Sequence, residues 1–474
     1  MIMRYVFALL IPYALLAASD SLSAALASRR YQEALEIADV QVKAHPADPR
    51  LWTARGIALE GLGRMRESIE SFSRALAIDA KFVPALEGSS EAAYASRDPR
   101  AEEFVVRLLV VQPNNQTAHA MAGALAFERR DCGTAATHFE KSHREIENSA
   151  PALAQFGECL VKLKRASDAA GVFEHLLALN PASETARYNL GLSQLMAERP
   201  RDAIATLQPL RTNPDALNLL AAAEENQGQM EAAIADFRRA TELAPTEERN
   251  YLDLAILCLD HDAFDLALDV IETGLRNIPD SARLYTMRGA VRAQTADFEK
   301  AAADFEKAER LKPDQLYGSV GLSMLLRQED RLSESISLLR EKLKKAPADP
   351  TLNYLLADAL MRQGAEPAQP EFAEARQALL RSLRAKPDFD KAHAALGKTY
   401  LKSGETENAI REFRWASKSD PTDRTALQQL LLALHKSGRE QEAAATAAKL
   451  KSLLDEDRKA EVARNRIRLV KAQP

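Results

Sequence analysis

The feature that most constrains this chain is an internal period of about 34 residues, the interval between successive prolines at Pro245, Pro279, Pro313 and Pro347. Within each interval other residues keep fixed places: Phe305 lies eight residues before Pro313, and Ala301 lies twelve before it. A fixed period of this length is typical of a stacked array in which each unit contacts only its neighbours.

Each period predicts two antiparallel helices. Hydrophobic residues make up 46% of the chain, whereas glycines number 18 and aromatic residues only 6%, which favours closely packed helices over strands. Gly289 and Ala301 allow two helices to approach closely. Phe305 fills the space between them, and Pro313 cannot continue the second helix. One helix pair cannot bury its own apolar faces, so the pairs must stack into an all-α array.

This pattern resembles the tetratricopeptide repeat (TPR) family. The unit from Ala282 to Gln315 has an aromatic residue, a small residue four later, and a second helix marked by alanine, phenylalanine, alanine and proline. The residues assigned to structural repeat positions are Trp52, Gly56, Phe72, Phe173, Phe237, Gly289, Ala301, Phe305, Pro313 and Phe413. The resemblance implies an all-α, right-handed α-α superhelix (a TPR solenoid) of antiparallel helix pairs. In this frame about thirteen tandem units occupy residues 20–455.

Three departures from the period predict local changes. The unit of residues 184–213 is short and contains Pro209, which predicts a bent or shortened second helix. Extra residues at 364–370 predict an enlarged loop between two helices. After the repeats end, residues 456–474 are predicted to form a capping helix or tail that shields the last unit.

Residues 1–19 are predicted to be a signal peptide. A positive start, MIMR, precedes an apolar run over residues 5–18 that ends in small residues. That run is shorter than the roughly 20 residues needed to span a bilayer. We therefore expect a periplasmic or secreted protein with no membrane span in the mature chain. The alternative is that the apolar run is a buried helix of a cytoplasmic protein.

The sequence contains little that predicts catalysis. The net charge of −5 indicates no nucleic-acid partner. Nearly all residues are needed by the repeats, which leaves no enzyme domain, and no motif predicts a cofactor or metal. The three cysteines are too scattered to predict a disulfide: Cys132 is expected to be exposed in a turn, and Cys159 and Cys258 to be buried, unbridged residues.

The resemblance implies that the first helix of each unit lines a concave groove that binds a peptide or protein. The predicted groove residues are Tyr188, Asn189, Leu192, Met196, Asn218, Leu252, Ile256, Met287, Val320, Met324, Tyr354 and Lys398. Early units add acidic residues at Glu60, Glu87, Glu128 and Glu158, and late units add Lys391, Lys402 and Lys436. The alternative is that the apolar residues only pack successive repeats together.

Function is therefore predicted as a non-catalytic protein–protein interaction scaffold. One alternative is a non-catalytic subunit of an envelope assembly or polysaccharide-export machine, and another is a cytoplasmic adaptor. The repeat frame leaves the oligomeric state open, because its residues are structural.

Overall fold

The computed structural model describes residues 20–454. Within that range the secondary structure is helical and no strand is present. The chain divides into two compact units, Met1–Leu243 and Ala244–Pro474, called here the N-terminal and C-terminal units. The predicted all-α solenoid of antiparallel helix pairs is confirmed. The predicted signal peptide (1–19) and capping helix (456–474) lie outside the described residues.

The N-terminal unit consists of helices that pack in chain order. They are α1 (Asp20–Ala27), α2 (Tyr31–Ala44), α3 (Pro49–Gly61), α4 (Met65–Ile78), α5 (Val83–Ser96), α6 (Ala101–Val111), α7 (Gln116–Glu128), α8 (Cys132–Lys141), α9 (His143–Ile146), α10 (Ala150–Lys162), α11 (Ala166–Leu179), α12 (Glu184–Met196), α13 (Pro200–Leu207), α14 (Pro214–Asn226) and α15 (Met230–Leu243).

The C-terminal unit continues the alternation of first and second helices. Its helices are α16 (Glu248–Asp260), α17 (Phe264–Asn277), α18 (Ala282–Gln294), α19 (Phe298–Leu311), α20 (Tyr317–Gln328), α21 (Leu332–Lys345), α22 (Pro350–Arg362), α23 (Pro370–Ala385), α24 (Asp390–Lys402), α25 (Thr406–Ser419) and α26 (Arg424–Lys436). Residues 440–454 are also helical.

Many first helices are preceded by a residue whose side chain caps the N-terminus of the helix. The Asp48 carboxylate accepts a hydrogen bond from the Arg50 backbone N–H at 2.9 Å, and the Asn115 side chain accepts one from the Ala118 N–H at 2.9 Å. Such caps satisfy N–H groups that have no partner inside the helix. Pro49, at the first position of α3, has no N–H to leave unsatisfied and is favoured there.

Several of the prolines that end second helices have a further role. Their carbonyl oxygens accept a hydrogen bond from the side chain six residues later, at the start of the next first helix. Chemically different donors share this place: Trp52 to Pro46, His119 to Pro113, Arg187 to Pro181, Tyr251 to Pro245, Asn353 to Pro347 and His393 to Pro387. The bonds, 2.9–3.0 Å long, fix the entry of the new repeat.

The core of each repeat is built around one large side chain between small residues. Phe305 is buried, and a Cβ atom added to Gly289 would lie 2.8 Å from its ring. Gly321, from the following first helix, contacts the same ring. The remaining structural repeat positions are placed as follows: Gly56, Phe72, Phe173, Phe237, Ala301 and Phe413 are buried, Trp52 is half-buried, and Pro313 follows the end of α19.

The structure is irregular where the sequence departs from the 34-residue period. Helix α13 is short and passes into a 3₁₀ turn at Gln208–Leu210, so the predicted shortening is confirmed. Residues 363–369 form the loop between α22 and α23. The second helix that begins at Cys132 is interrupted at Ser142, where α8 ends and the short α9 begins.

The structure corrects the prediction for the cysteines. Cys132 is the first residue of α8 and is buried, not exposed in a turn. It forms a disulfide with Cys159 of α10, with Cα atoms 4.8 Å apart. The prediction that no disulfide forms is wrong because it compares Cys159 with the distant Cys258 and excludes Cys132 by assuming that it is exposed. Cys258 is buried and takes no part in a disulfide.

Candidate protein-binding surface

First helices lie side by side in the C-terminal unit. Helix α16 contacts α18, α18 contacts α20, α20 contacts α22, and α22 contacts α24, although a second helix separates the members of each pair along the chain. Side chains on the open side of these helices therefore form a continuous surface, the C-terminal groove. Its predicted residues are Leu252, Ile256, Met287, Val320, Met324, Tyr354 and Lys398.

Two large apolar side chains of the C-terminal groove are open to solvent. Ile256 on α16 is 44% exposed and Met324 on α20 is 50% exposed. Met287 and Val320 are half-buried, and Lys398 is exposed. Leu252, in contrast, is 3% exposed, so it belongs to the packing between helices and offers no surface to a partner.

Tyr354 lies in a denser part of the C-terminal groove. Its ring is 5.3 Å from that of Phe389 in an edge-on arrangement. One turn further along α22, the Asp358 carboxylate pairs with Arg327 at 3.0 Å and with Arg362 at 2.9 Å. Burial raises the pKa of Tyr354 above its usual range, so the phenol is a neutral hydrogen-bonding group at the margin of an ion-paired cluster.

The end of the C-terminal groove at α24 and α26 is basic. Lys391 and Lys398 on α24 and Lys436 on α26 are exposed. Within residues 20–454, no ion pair joins any of these three ammonium groups to a carboxylate. Lys402 differs, because it pairs with Glu366 at 3.0 Å and donates a hydrogen bond to the Ala365 carbonyl. This end therefore presents cations that are free to meet an acidic partner.

The predicted groove residues of the N-terminal unit lie on α12 and α14. Met196 is 41% exposed, and Tyr188, Asn189 and Leu192 are half-buried. Asn218 on α14 is only 4% exposed. As with Leu252, this burial makes Asn218 part of the packing rather than part of an open surface.

Carboxylates gather on α3 and α5 of the same unit. Burial raises the pKa of Glu60 to about 7. Burial, together with the charges of Glu60, Glu87 and Glu145, raises the pKa of Glu91 to about 8. Glu60 and Glu87 were predicted to face the groove, but Glu91 was not. Its signal in the sequence is the spacing of four residues from Glu87, which places both side chains on one helix face.

Neither a metal site nor a membrane-spanning helix is present in the described residues. No group of three or more His, Cys, Asp or Glu side chains in residues 20–454 is arranged to hold a metal ion. In the same part of the chain, no helix is both long enough and apolar enough to cross a bilayer.

Stacked antiparallel helix pairs with a repeated core define the class of α-helical repeat proteins. Tetratricopeptide repeat models match residues 21–81, 156–211 and 321–389, and a second such model matches 214–247 and 282–315. Together the matches span more than half of the chain. The chain belongs to the tetratricopeptide repeat family and is a protein-interaction scaffold of that type. A model described as a bacterial transcriptional activator domain matches residues 367–466.

Individual relatives are more distant. Protein FlbA of Caulobacter vibrioides is 29% identical over 216 residues, which cover 43% of this chain and 35% of FlbA. The peroxisomal targeting signal receptor of Candida albicans is 26% identical over 215 residues, covering 42% of this chain and 36% of the receptor. The chain thus spans about a third of the length of these curated relatives.

Solved structures with similar helix arrangements include other repeat proteins. Yeast Tom70 is 16% identical, with 96% of each chain covered and a TM-score of 0.46. A tetratricopeptide repeat protein from Parabacteroides merdae is 17% identical, with 60% of this chain and 99% of that chain covered and a TM-score of 0.41.

Proposed function

We propose that the C-terminal groove binds an extended or helical protein segment that carries both apolar and acidic side chains, and that the chain does this without catalysing a reaction. The observation that carries the proposal is the exposure of Ile256 and Met324 on first helices of one surface. A contiguous apolar patch that stays in water marks a protein-interaction site, and the half-buried Met287 on α18, the first helix between α16 and α20, continues the apolar surface between the two side chains. Support also comes from a relative named as a receptor for a targeting signal.

The charges favour an acidic partner segment over a basic one. The unpaired cations Lys391, Lys398 and Lys436 lie at one end of the C-terminal groove, where α26 also carries the partly exposed Leu432. A segment with acidic residues would gain from these charges, while a basic segment would be repelled. Burying the exposed part of Met324 contributes on the order of 1 kcal/mol, about half the value for full burial of such a side chain.

Direct binding to short labelled peptides tests this proposal. Three synthetic peptides share the same leucine spacing and differ only in having glutamate, serine or lysine between the leucines. Measured by fluorescence anisotropy with the full chain, the glutamate peptide should bind most tightly and the lysine peptide least. Met324→Glu should weaken binding of the glutamate peptide by about tenfold or more, since about 1.4 kcal/mol corresponds to tenfold in affinity.

A matched control uses an exposed apolar residue on a second helix. Val110 lies on α6 and is exposed, so Val110→Glu introduces the same charge outside the C-terminal groove. Its peptide affinities should equal those of the unchanged chain. If Val110→Glu and Met324→Glu weaken binding equally, or if the three peptides bind alike, the proposed groove and its partner chemistry are wrong.

We also propose that the scaffold acts outside the cytoplasm, in the periplasm or as a secreted protein. The support is the positive start and short apolar run of residues 1–19. The intact mass of protein isolated from its native cells should show the loss of about 18 or 19 residues. An unprocessed start would favour the cytoplasmic adaptor, and stable co-purification with an envelope enzyme complex would favour a subunit of an assembly or export machine.

A further inference from the structure

The disulfide lies where the repeat register brings two helices into contact. Cys132 begins the second helix of one repeat, and Cys159 is the tenth residue of the next first helix, α10. Both side chains are buried. Their Cα atoms are 4.8 Å apart at a sequence separation of 27, which is within the range that a disulfide can bridge without moving the backbone.

Other repeats fill the same two places with apolar residues at the same separation as the two cysteines. Phe264 begins α17, and Val291 is the tenth residue of α18. Phe298 likewise begins α19, and Leu325, at the place equivalent to Cys159, belongs to the core cluster against which Phe298 packs. The same two places thus meet in at least one other repeat junction, that of Phe298 and Leu325. At the junction between α8 and α10 both places hold cysteines, Cys132 and Cys159, so folding itself brings the two sulfur atoms into contact.

We infer that Cys132 and Cys159 are a permanent oxidative cross-link between two repeats, made by a protein disulfide donor outside the cytoplasm. This inference rests on the export part of the proposed function. The two thiols lose two protons and two electrons as the sulfur–sulfur bond forms. The donor's own disulfide accepts the electrons and becomes a dithiol. Thiols of cytosolic proteins are kept reduced, whereas such bonds persist in the periplasm and outside the cell.

The cross-link bridges an interrupted second helix of the N-terminal unit. Between the two cysteines the helix is interrupted at Ser142, and the short α9 precedes α10. The bond ties the start of α8 directly to α10, so the junction does not depend on the interrupted end of the second helix. Because both sulfur atoms are in the core, small reductants reach them only when the junction opens.

Thiol counting on protein from native cells tests the cross-link. Cells are quenched in acid, and the denatured chain is alkylated with a maleimide before and after reduction. One thiol, that of Cys258, should react before reduction and all three afterwards, in the same molecules whose intact mass reports the N-terminus. Three reactive thiols before reduction would overturn the inference, and with a processed N-terminus they would leave the export proposal standing. One reactive thiol with an unprocessed N-terminus would overturn the stated place of formation together with export.

Cysteine variants distinguish a covalent disulfide from two thiols that only pack against each other. Cys132→Ala, Cys159→Ala and the double variant should lower the thermal midpoint by the same amount, because losing either sulfur atom removes the whole bond. Additive shifts would mean that the two side chains only pack, and would overturn the inference. Cys258→Ala is the matched control and should leave the cross-link intact. Leu332→Cys combined with Ala359→Cys, at the equivalent places on α21 and α22, should create a second cross-link when the protein is exported.

Discussion

Replacing Gly289 with alanine should have opposite effects in the presence and absence of the Phe305 ring. The added Cβ would lie 2.8 Å from that ring, which cannot withdraw because Gly321 contacts it from the next first helix. Overpacking of this kind costs about 1–3 kcal/mol, while alanine gains about 1 kcal/mol over glycine in a helix. Gly289→Ala should therefore lower the free energy of unfolding by about 1 kcal/mol net.

The reverse holds once the ring is removed. Phe305→Ala alone should cost about 3–5 kcal/mol, because it leaves a cavity between two helices. In that background the methyl group added at position 289 meets no ring, so Gly289→Ala keeps only the helix gain and should stabilise by about 1 kcal/mol. The coupling between the two positions is then about 2 kcal/mol, within the range observed for residues in direct contact.

Urea denaturation followed by circular dichroism measures all four members of this cycle. Gly171→Ala on α11 is the matched control, because Gly171 is exposed and an added Cβ would meet nothing within 4 Å. It should stabilise in both backgrounds. A midpoint that moves in the same direction on Gly289→Ala with and without the ring would mean that the ring does not limit the space at position 289.

Three further measurements address single groups. Trp52→Phe removes the N–H that bonds Pro46 and should cost about 1 kcal/mol of unfolding free energy; an unchanged midpoint would mean no net contribution. Burial alone would lower the pKa of His393, but its hydrogen bonds with Glu412 and Pro387 raise it. These hydrogen bonds stabilise the fold through the protonated imidazole, fully below the ordinary pKa of 6.5, and this stabilisation is lost as the pH rises through the higher pKa of the folded state. Glu412→Gln should therefore lower the free energy of unfolding at about pH 6 and not at about pH 9. The pKa of Glu91 is raised from 4.5 to about 8, so the folded state becomes less stable as the pH rises from the lower to the higher of these values. Glu91→Gln removes this ionisation and should raise the free energy of unfolding by about 1–3 kcal/mol at about pH 9 and not at about pH 4.

Much of the fold could be predicted because the residues that pack within each repeat recur at fixed positions in the sequence. A proline can end a helix without tertiary context, and Phe305 between Gly289 and Gly321 is a local consequence of helix spacing. Even the shortened α13 followed from Pro209. These features depend on contacts within one repeat and its neighbour, which the regular spacing of the prolines specifies directly.

The details of the surface could not be predicted equally well. Repeat position places Leu252 and Ile256 on the same side of α16, yet one is buried and the other exposed. The difference depends on how closely the adjoining helices approach, which no single residue determines. The disulfide was missed for another reason: the separation of its two cysteines is visible in the sequence, but only a comparison of register with Phe298 and Leu325 shows that this separation is a contact.

The hydrogen bonds to the terminal prolines also bear on how such a chain can change. Tryptophan, histidine, arginine, tyrosine and asparagine side chains all donate a hydrogen bond to the carbonyl of the proline six residues earlier, from the same place in the repeat. This position requires a hydrogen-bond donor next to the proline carbonyl, and several kinds of side chain supply one. The donor therefore differs with the packing around it: Tyr251, His119 and Asn353 are buried, whereas Trp52 and Arg187 are partly exposed. Successive repeats can thus differ in the size and burial of this side chain and still keep the hydrogen bond that aligns their helices.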